Sequence, residues 1–135
     1  MPYLQLDLGE PHPAEAKRRL AQRLGEIFAE IMQTTPEQVS VGFRELGAGN
    51  IWRCGLGAPE PAAVLMCDIR RGRPPEQRAR LAAALVAACV EELGLRADRL
   101  AVEFTQHAAD EMYKHERGGL GAEWSPGEAL ARRDG

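Results

Sequence analysis

Two features of the sequence carry chemistry. Met1 is followed by Pro2, and Arg70-Arg71-Gly72-Arg73 gathers three guanidinium groups within one short run. A small residue behind an initiator methionine favours removal of that methionine, which would leave Pro2 with a free secondary amine. An α-amine titrates at about 7.7–8.0, and burial or a neighbouring cation lowers this and leaves a neutral base. Such a nitrogen can move protons or attack a carbonyl. Guanidinium groups stay charged and grip carboxylates in a fork. The three arginines fall between an apolar strand and the helix that starts around Pro74-Pro75-Glu76, a place that favours anions. Pro2, Arg70 and Arg73 therefore read as a base with a carboxylate clamp, and Arg71 as the more exposed member. Together they call for a small carboxylate substrate, held by the arginines while Pro2 moves a proton or attacks a carbonyl.

Other candidates are weaker. Phe28 and Trp52 suit an apolar wall beside an unsaturated substrate, and Tyr113 could donate a hydrogen bond. His107 and His115 read as surface residues. Cys54, Cys67 and Cys89 are odd in number and lack CxxC spacing, which argues against a disulfide framework or a zinc site. Cys67 and Cys89 fit small core positions. Neither a metal nor a cofactor is called for.

The elements that must position these residues follow from periodicity. Leu4, Leu6 and Leu8 alternate with polar residues as in a half-buried strand. After Pro11-His12-Pro13, Leu20, Leu24, Ile27, Phe28 and Ile31 fall at helical spacing over residues 14–32. Thr34-Thr35-Pro36 stops that helix, and Val39, Val41 and Phe43 alternate again. Gly47–Asn50 is a turn and Gly55–Pro61 a connection. Val64–Cys67 is a strand core. A second helix carries Leu81, Leu85, Ala88, Cys89 and Leu93 and is capped by Gly94. Leu100, Val102 and Phe104 form a fourth strand. A short helix is expected over Ala108–His115, with a polar tail from Gly118-Gly119.

The order is β-α-β, linker, β-α-β, and core positions recur at one interval. Leu4 and Leu65, Leu20 and Leu81, Leu24 and Leu85, and Val39 and Leu100 are each 61 positions apart, the mark of an internal duplication. One domain over residues 1–135 is expected, with repeats at about 2–55 and 62–117 and a tail over 118–135. Each repeat supplies two parallel strands and a crossover helix, which makes an α+β two-layer fold: a four-stranded sheet with both helices on one face. Pairing Leu4 with Leu65 puts Pro2 opposite Ala63, and only one repeat can offer an amino-terminal proline. The sheet's other face needs cover, which another subunit could give.

Composition excludes several partners. A net charge of −3 without a basic run argues against nucleic acid. No apolar run is long enough to span a membrane, and the start lacks a signal-peptide pattern, so a cytoplasmic protein is expected.

The residues resemble the tautomerase superfamily, whose members carry a catalytic amino-terminal proline on a β-α-β repeat. Pro2 fits, as do Ala48-Gly49-Asn50-Ile51-Trp52, Cys54-Gly55, Phe104–Met112 and Gly121-Ala122-Glu123-Trp124. Within that superfamily the chain is most similar to the cis-3-chloroacrylic acid dehalogenases, fused double repeats in which an Arg-x-Gly-Arg pattern follows the third strand. The resemblance implies a tautomerase fold like that of macrophage migration inhibitory factor, a homotrimer, and roles for Pro2, Arg70 and Arg73. It departs at three positions. Phe28 stands where the dehalogenases have a histidine, Glu103 where they have a tyrosine, and Lys114 near their water-activating glutamate. Glu103 and Lys114 are open to two readings, a buried pair that reshapes the pocket or an ordinary surface pair. Arg71, Trp52, Phe28, Glu103 and Lys114 are thus the expected substrate-binding residues. Without the carboxylate, the resemblance implies enol–keto tautomerisation of a small 2-oxo acid or related unsaturated carboxylate rather than hydrolytic dehalogenation. A malonate semialdehyde decarboxylase-like lyase, with Arg71 and Arg73 as its arginine pair and Glu37 or Gln38 near its aspartate, is one alternative. A catalytically inactive binding subunit is the other.

Overall fold

The computed structural model describes residues 2–128. Met1, whose removal bears on Pro2, and the end of the tail, residues 129–135, lie outside the described residues.

The chain runs β1 (Tyr3–Leu8), α1 (Ala14–Met32), β2 (Ser40–Glu45), β3 (Trp52–Arg53), β4 (Glu60–Pro61), β5 (Ala63–Arg70), α2 (Pro75–Leu93), β6 (Leu100–His107), β7 (Tyr113–Lys114) and β8 (Gly119–Leu120). Leu4, Leu6 and Leu8 are buried on one face of β1, and Ala63, Leu65, Cys67 and Ile69 on the same face of β5. Leu20, Leu24 and Phe28 of α1 and Leu81, Leu85 and Cys89 of α2 join that cluster. Complete burial of each leucine contributes roughly 1.5–3 kcal/mol. Both helices end in a left-handed residue, Gln33 at φ 57° and Gly94 at φ 69°.

The four-stranded sheet has the order β2-β1-β5-β6. β1 and β2 are parallel, as are β5 and β6, whereas β1 and β5 are antiparallel. The two helices, and the single-turn 3-10 helices Pro36–Gln38 and Ala97–Arg99, repeat at the 61-residue interval, as do β3 and β7.

The antiparallel centre corrects one expectation. Pro2 and Ala63 are equivalent by repeat but lie at opposite ends of the sheet, because Tyr3 pairs with Asp68 and Asp7 with Val64. Pro2 therefore sits at the end of β5 that carries Arg70. The short helix expected over Ala108–His115 is also corrected. Ala109–Glu111 makes one 3-10 turn, then Met112 is extended and Tyr113-Lys114 pairs with Gly119-Leu120. Gly118 at φ 78° allows that reversal, so the expected polar tail opens with a paired strand.

Candidate functional site

A cavity of about 160 Å³ lies where β1 begins and β5 ends. Pro2 lines it, buried, and its carbonyl accepts a 3.1 Å hydrogen bond from the Ser40 N–H. That bond is the first rung of the parallel β1–β2 pairing, so the strand itself fixes the proline's place. Phe28 of α1, 1% exposed, gives an apolar wall. Buried Thr34 and Gln38, from the turn that follows α1, add polar groups.

The cations come from two directions. Arg70 is the last residue of β5 and Arg73 lies one turn later; both line the cavity and are buried. Gly72 between them adopts φ 129°, a region that side chains rarely enter, and a Cβ there would lie 3.5 Å from Trp124 Cβ. This turn brings both guanidinium groups to the same cavity. Arg73 donates to the Met32 carbonyl from Nε at 3.3 Å and Nη2 at 2.9 Å, and its guanidinium carbon lies 5.0 Å from the centre of the Trp124 ring. Gln77 Nε2 donates to the Ile31 carbonyl at 2.8 Å. Carbonyls in the last turn of a helix lack intrahelical partners, so the start of the second crossover caps the end of α1. Lys114 of β7 completes the set. Its Nζ is 3.4 Å from Gln38 Oε1 and 3.5 Å from Glu116 Oε1. Tyr113, Met112 and residues 119–122 close the remaining side.

No family model matches the sequence, and no curated protein is recognisably similar to it. Solved structures are similar over almost the whole chain. N1, a member of the cis-3-chloroacrylic acid dehalogenase family, is 20% identical over 98% of this chain and 99% of its own, with a TM-score of 0.79. Native fused 4-OT is 26% identical over 89% and 95%, at 0.75. The chain has the tautomerase-superfamily fold. Pt0534, solved after inactivation by 2-oxo-3-pentynoate, matches at 24% identity over 96% and 98%, with a TM-score of 0.75. Neighbours of this fold include a member of a dehalogenase family and a malonate semialdehyde decarboxylase, so the fold does not choose among reactions.

Within the tautomerase fold, the cavity gathers Pro2, Arg70, Arg73, Phe28 and Lys114. Three expected site residues lie elsewhere. Arg71 is 61% exposed and meets Glu123 at 3.3 Å, because the turn at Gly72 sends it outward. Arg71 and Arg73 therefore do not form the expected decarboxylase-like pair. Trp52 is half exposed and donates from Nε1 to the Gly49 carbonyl at 2.8 Å. It is the repeat counterpart of Tyr113 and belongs to the opposite end of the sheet. Glu103 is exposed in mid-β6, opposite Met66, on the face away from the helices. The expected Glu103–Lys114 pair is absent, and Lys114 turns to Gln38 and Glu116 instead. His107 bonds Asp68 through Nε2, outside the cavity lining.

The sequence reading missed Thr34, Met112 and residues 119–122 as lining residues, and weighed Gln38 only as the place of an aspartate. It also missed Glu128, which forms an ion pair with Arg70 across 58 positions. Nothing in the local sequence announces that contact. A second cavity, of about 310 Å³, occupies the repeat-related end. There Ala63 stands for Pro2, Gly9 for Arg70 and His12 for Arg73, so neither the amine nor the arginine pair is duplicated.

Proposed function

We propose that the mature chain begins at Pro2 and catalyses enol–keto tautomerisation of a small 2-oxo acid. The observation that carries this reading is that Pro2 lines one cavity with Arg70, Arg73 and Lys114. Arg73 and Lys114, with Arg70 offset by its Glu128 partner, disfavour the protonated amine and favour a neutral base. In the proposed step the Pro2 nitrogen takes the enol proton and returns a proton to carbon. The cations attract the substrate carboxylate and stabilise charge that develops on the oxygen. Phe28 offers an apolar surface to the unsaturated part of the substrate. No carboxylate is among the described residues that line the cavity, so nothing there matches the general base that hydrolytic dehalogenation requires. The inactivation of the neighbour Pt0534 by an alkynyl 2-oxo acid fits a site of this kind.

A homotrimer belongs to the same proposal. Fused 4-OT neighbours are described as trimers, and the helix-free face of the sheet carries Tyr3, Val64 and Met66 beside Gln5, Asp7 and Glu103. Among the described residues no helix is long and apolar enough to cross a membrane.

The test starts with the intact mass, which should lack Met1. Ketonisation of phenylenolpyruvate should then fall by about two to four orders of magnitude in Pro2→Ala, the usual worth of a general base. A retained methionine, or a Pro2→Ala rate equal to that of the unmodified chain, would sink the proposal.

A further inference from the structure

The last described stretch of the chain, residues 121–128, folds against both arginines of the cavity. The Ala122 carbonyl accepts from Arg70 Nη1, and Glu128 Oε1 pairs with Arg70 Nη2. Trp124 stacks on Arg73, its ring centre 5.0 Å from the guanidinium carbon. The Arg70 side chain is 8% exposed and that of Glu128 13%, so their charges meet largely out of water, where attraction is stronger than at a surface. Arg70 thus already holds a carboxylate, the chemical group that a 2-oxo acid would bring to it.

The docked segment is not fully satisfied. Arg70 Nε and Trp124 Nε1 are both buried without a hydrogen-bond partner, and orphaned buried donors weaken the state that contains them. Arg70 Nε and Nη2 form the side-on fork that grips a carboxylate with two bonds. Here Glu128 takes Nη2 and leaves Nε unused. Exchanging Glu128 for a substrate carboxylate conserves charge at Arg70 and offers Nε its missing partner.

We propose that Glu128 is an internal carboxylate ligand of Arg70 that sets the cavity's affinity for anionic substrates by competing with them. This rests on the proposed function only in taking a 2-oxo acid as the ligand; it does not depend on Pro2 chemistry.

The experiment measures binding of pyruvate, the simplest 2-oxo acid, to the intact chain by calorimetry. Glu128→Gln removes the competing charge at nearly constant shape. Its dissociation constant for pyruvate should fall at least about fivefold, and the gain should vanish in the Arg70→Gln background. An unchanged or weaker affinity in Glu128→Gln overturns the proposal, as does an absence of pyruvate binding in both proteins. A second measurement does not depend on that variant's stability. With Trp52→Phe, Trp124 is the only tryptophan, and its emission should change along the pyruvate isotherm as the segment lets go. Binding without any change in emission also overturns the proposal. Loss of the Pro2→Ala effect on ketonisation, with this competition intact, would instead count against the proposed reaction alone.

Discussion

Replacing Arg73 with methionine separates its structural work from its role in the cavity. Methionine keeps an apolar stem of similar length in place of the buried arginine stem. The variant loses the two donations from Nε and Nη2 to the Met32 carbonyl, at 3.3 and 2.9 Å. Hydrogen bonds from a charged donor contribute about 1.5–3 kcal/mol. It also loses the stacked cation over Trp124, worth roughly 0.5–2 kcal/mol. A cation near the carboxyl end of α1 is favourable as well. With the methionine packing as an offset, the net loss is about 2–4 kcal/mol. A chain of this size unfolds with an entropy near 0.28 kcal/mol/K, so each kcal/mol lowers Tm by about 3–4 °C. The expected drop is therefore about 7–14 °C, read by circular dichroism at fixed protein concentration. Arg71→Met is the control. Its ion pair with Glu123 is more than half exposed on both sides, and such pairs are worth under about 1 kcal/mol, so its Tm should move by no more than about 3 °C. Equal shifts in the two variants would refute the claim that Arg73 caps α1.

Two further outcomes follow from charge and burial. Glu45 titrates below its ordinary value of 4.5 because Lys17 and then the His12 amide hydrogen-bond its carboxylate. This tie between β2 and the start of α1 is fully present above about pH 4.5 and is lost as pH falls through the lower folded value; acid unfolding of Glu45→Gln should show a shallower pH dependence there, and an identical profile would remove Glu45 from the account. Burial pushes the Cys67 and Cys89 thiols up to about 12, whereas Cys54 is exposed; a thiol reagent at neutral pH should label one cysteine in the native protein and three after unfolding, and rapid native labelling at three sites would contradict the core placement.

The duplicated β-α-β pattern, the buried leucines and the Pro2 and Arg70/Arg73 candidates were all legible in the sequence. The pattern and the leucines rest on local physics, strand alternation and helical spacing, and the Pro2 and arginine candidates on residue chemistry together with the family resemblance. Which residues meet was decided by the tertiary structure. The 61-residue interval shows that Leu4 matches Leu65, but not that β1 and β5 run antiparallel, and that direction is what brings Pro2 to Arg70. Resemblance suggested Trp52 and Glu103, yet the repeat geometry holds Trp52 at the other end and strand alternation turns Glu103 to the helix-free face. Glu128 lies 58 positions from Arg70, and no periodicity spans such a distance. A sequence constrains each residue's face within its own element. The approach of one element to another depends on how all the faces pack at once, and that packing sets the charge balance of the cavity around Pro2.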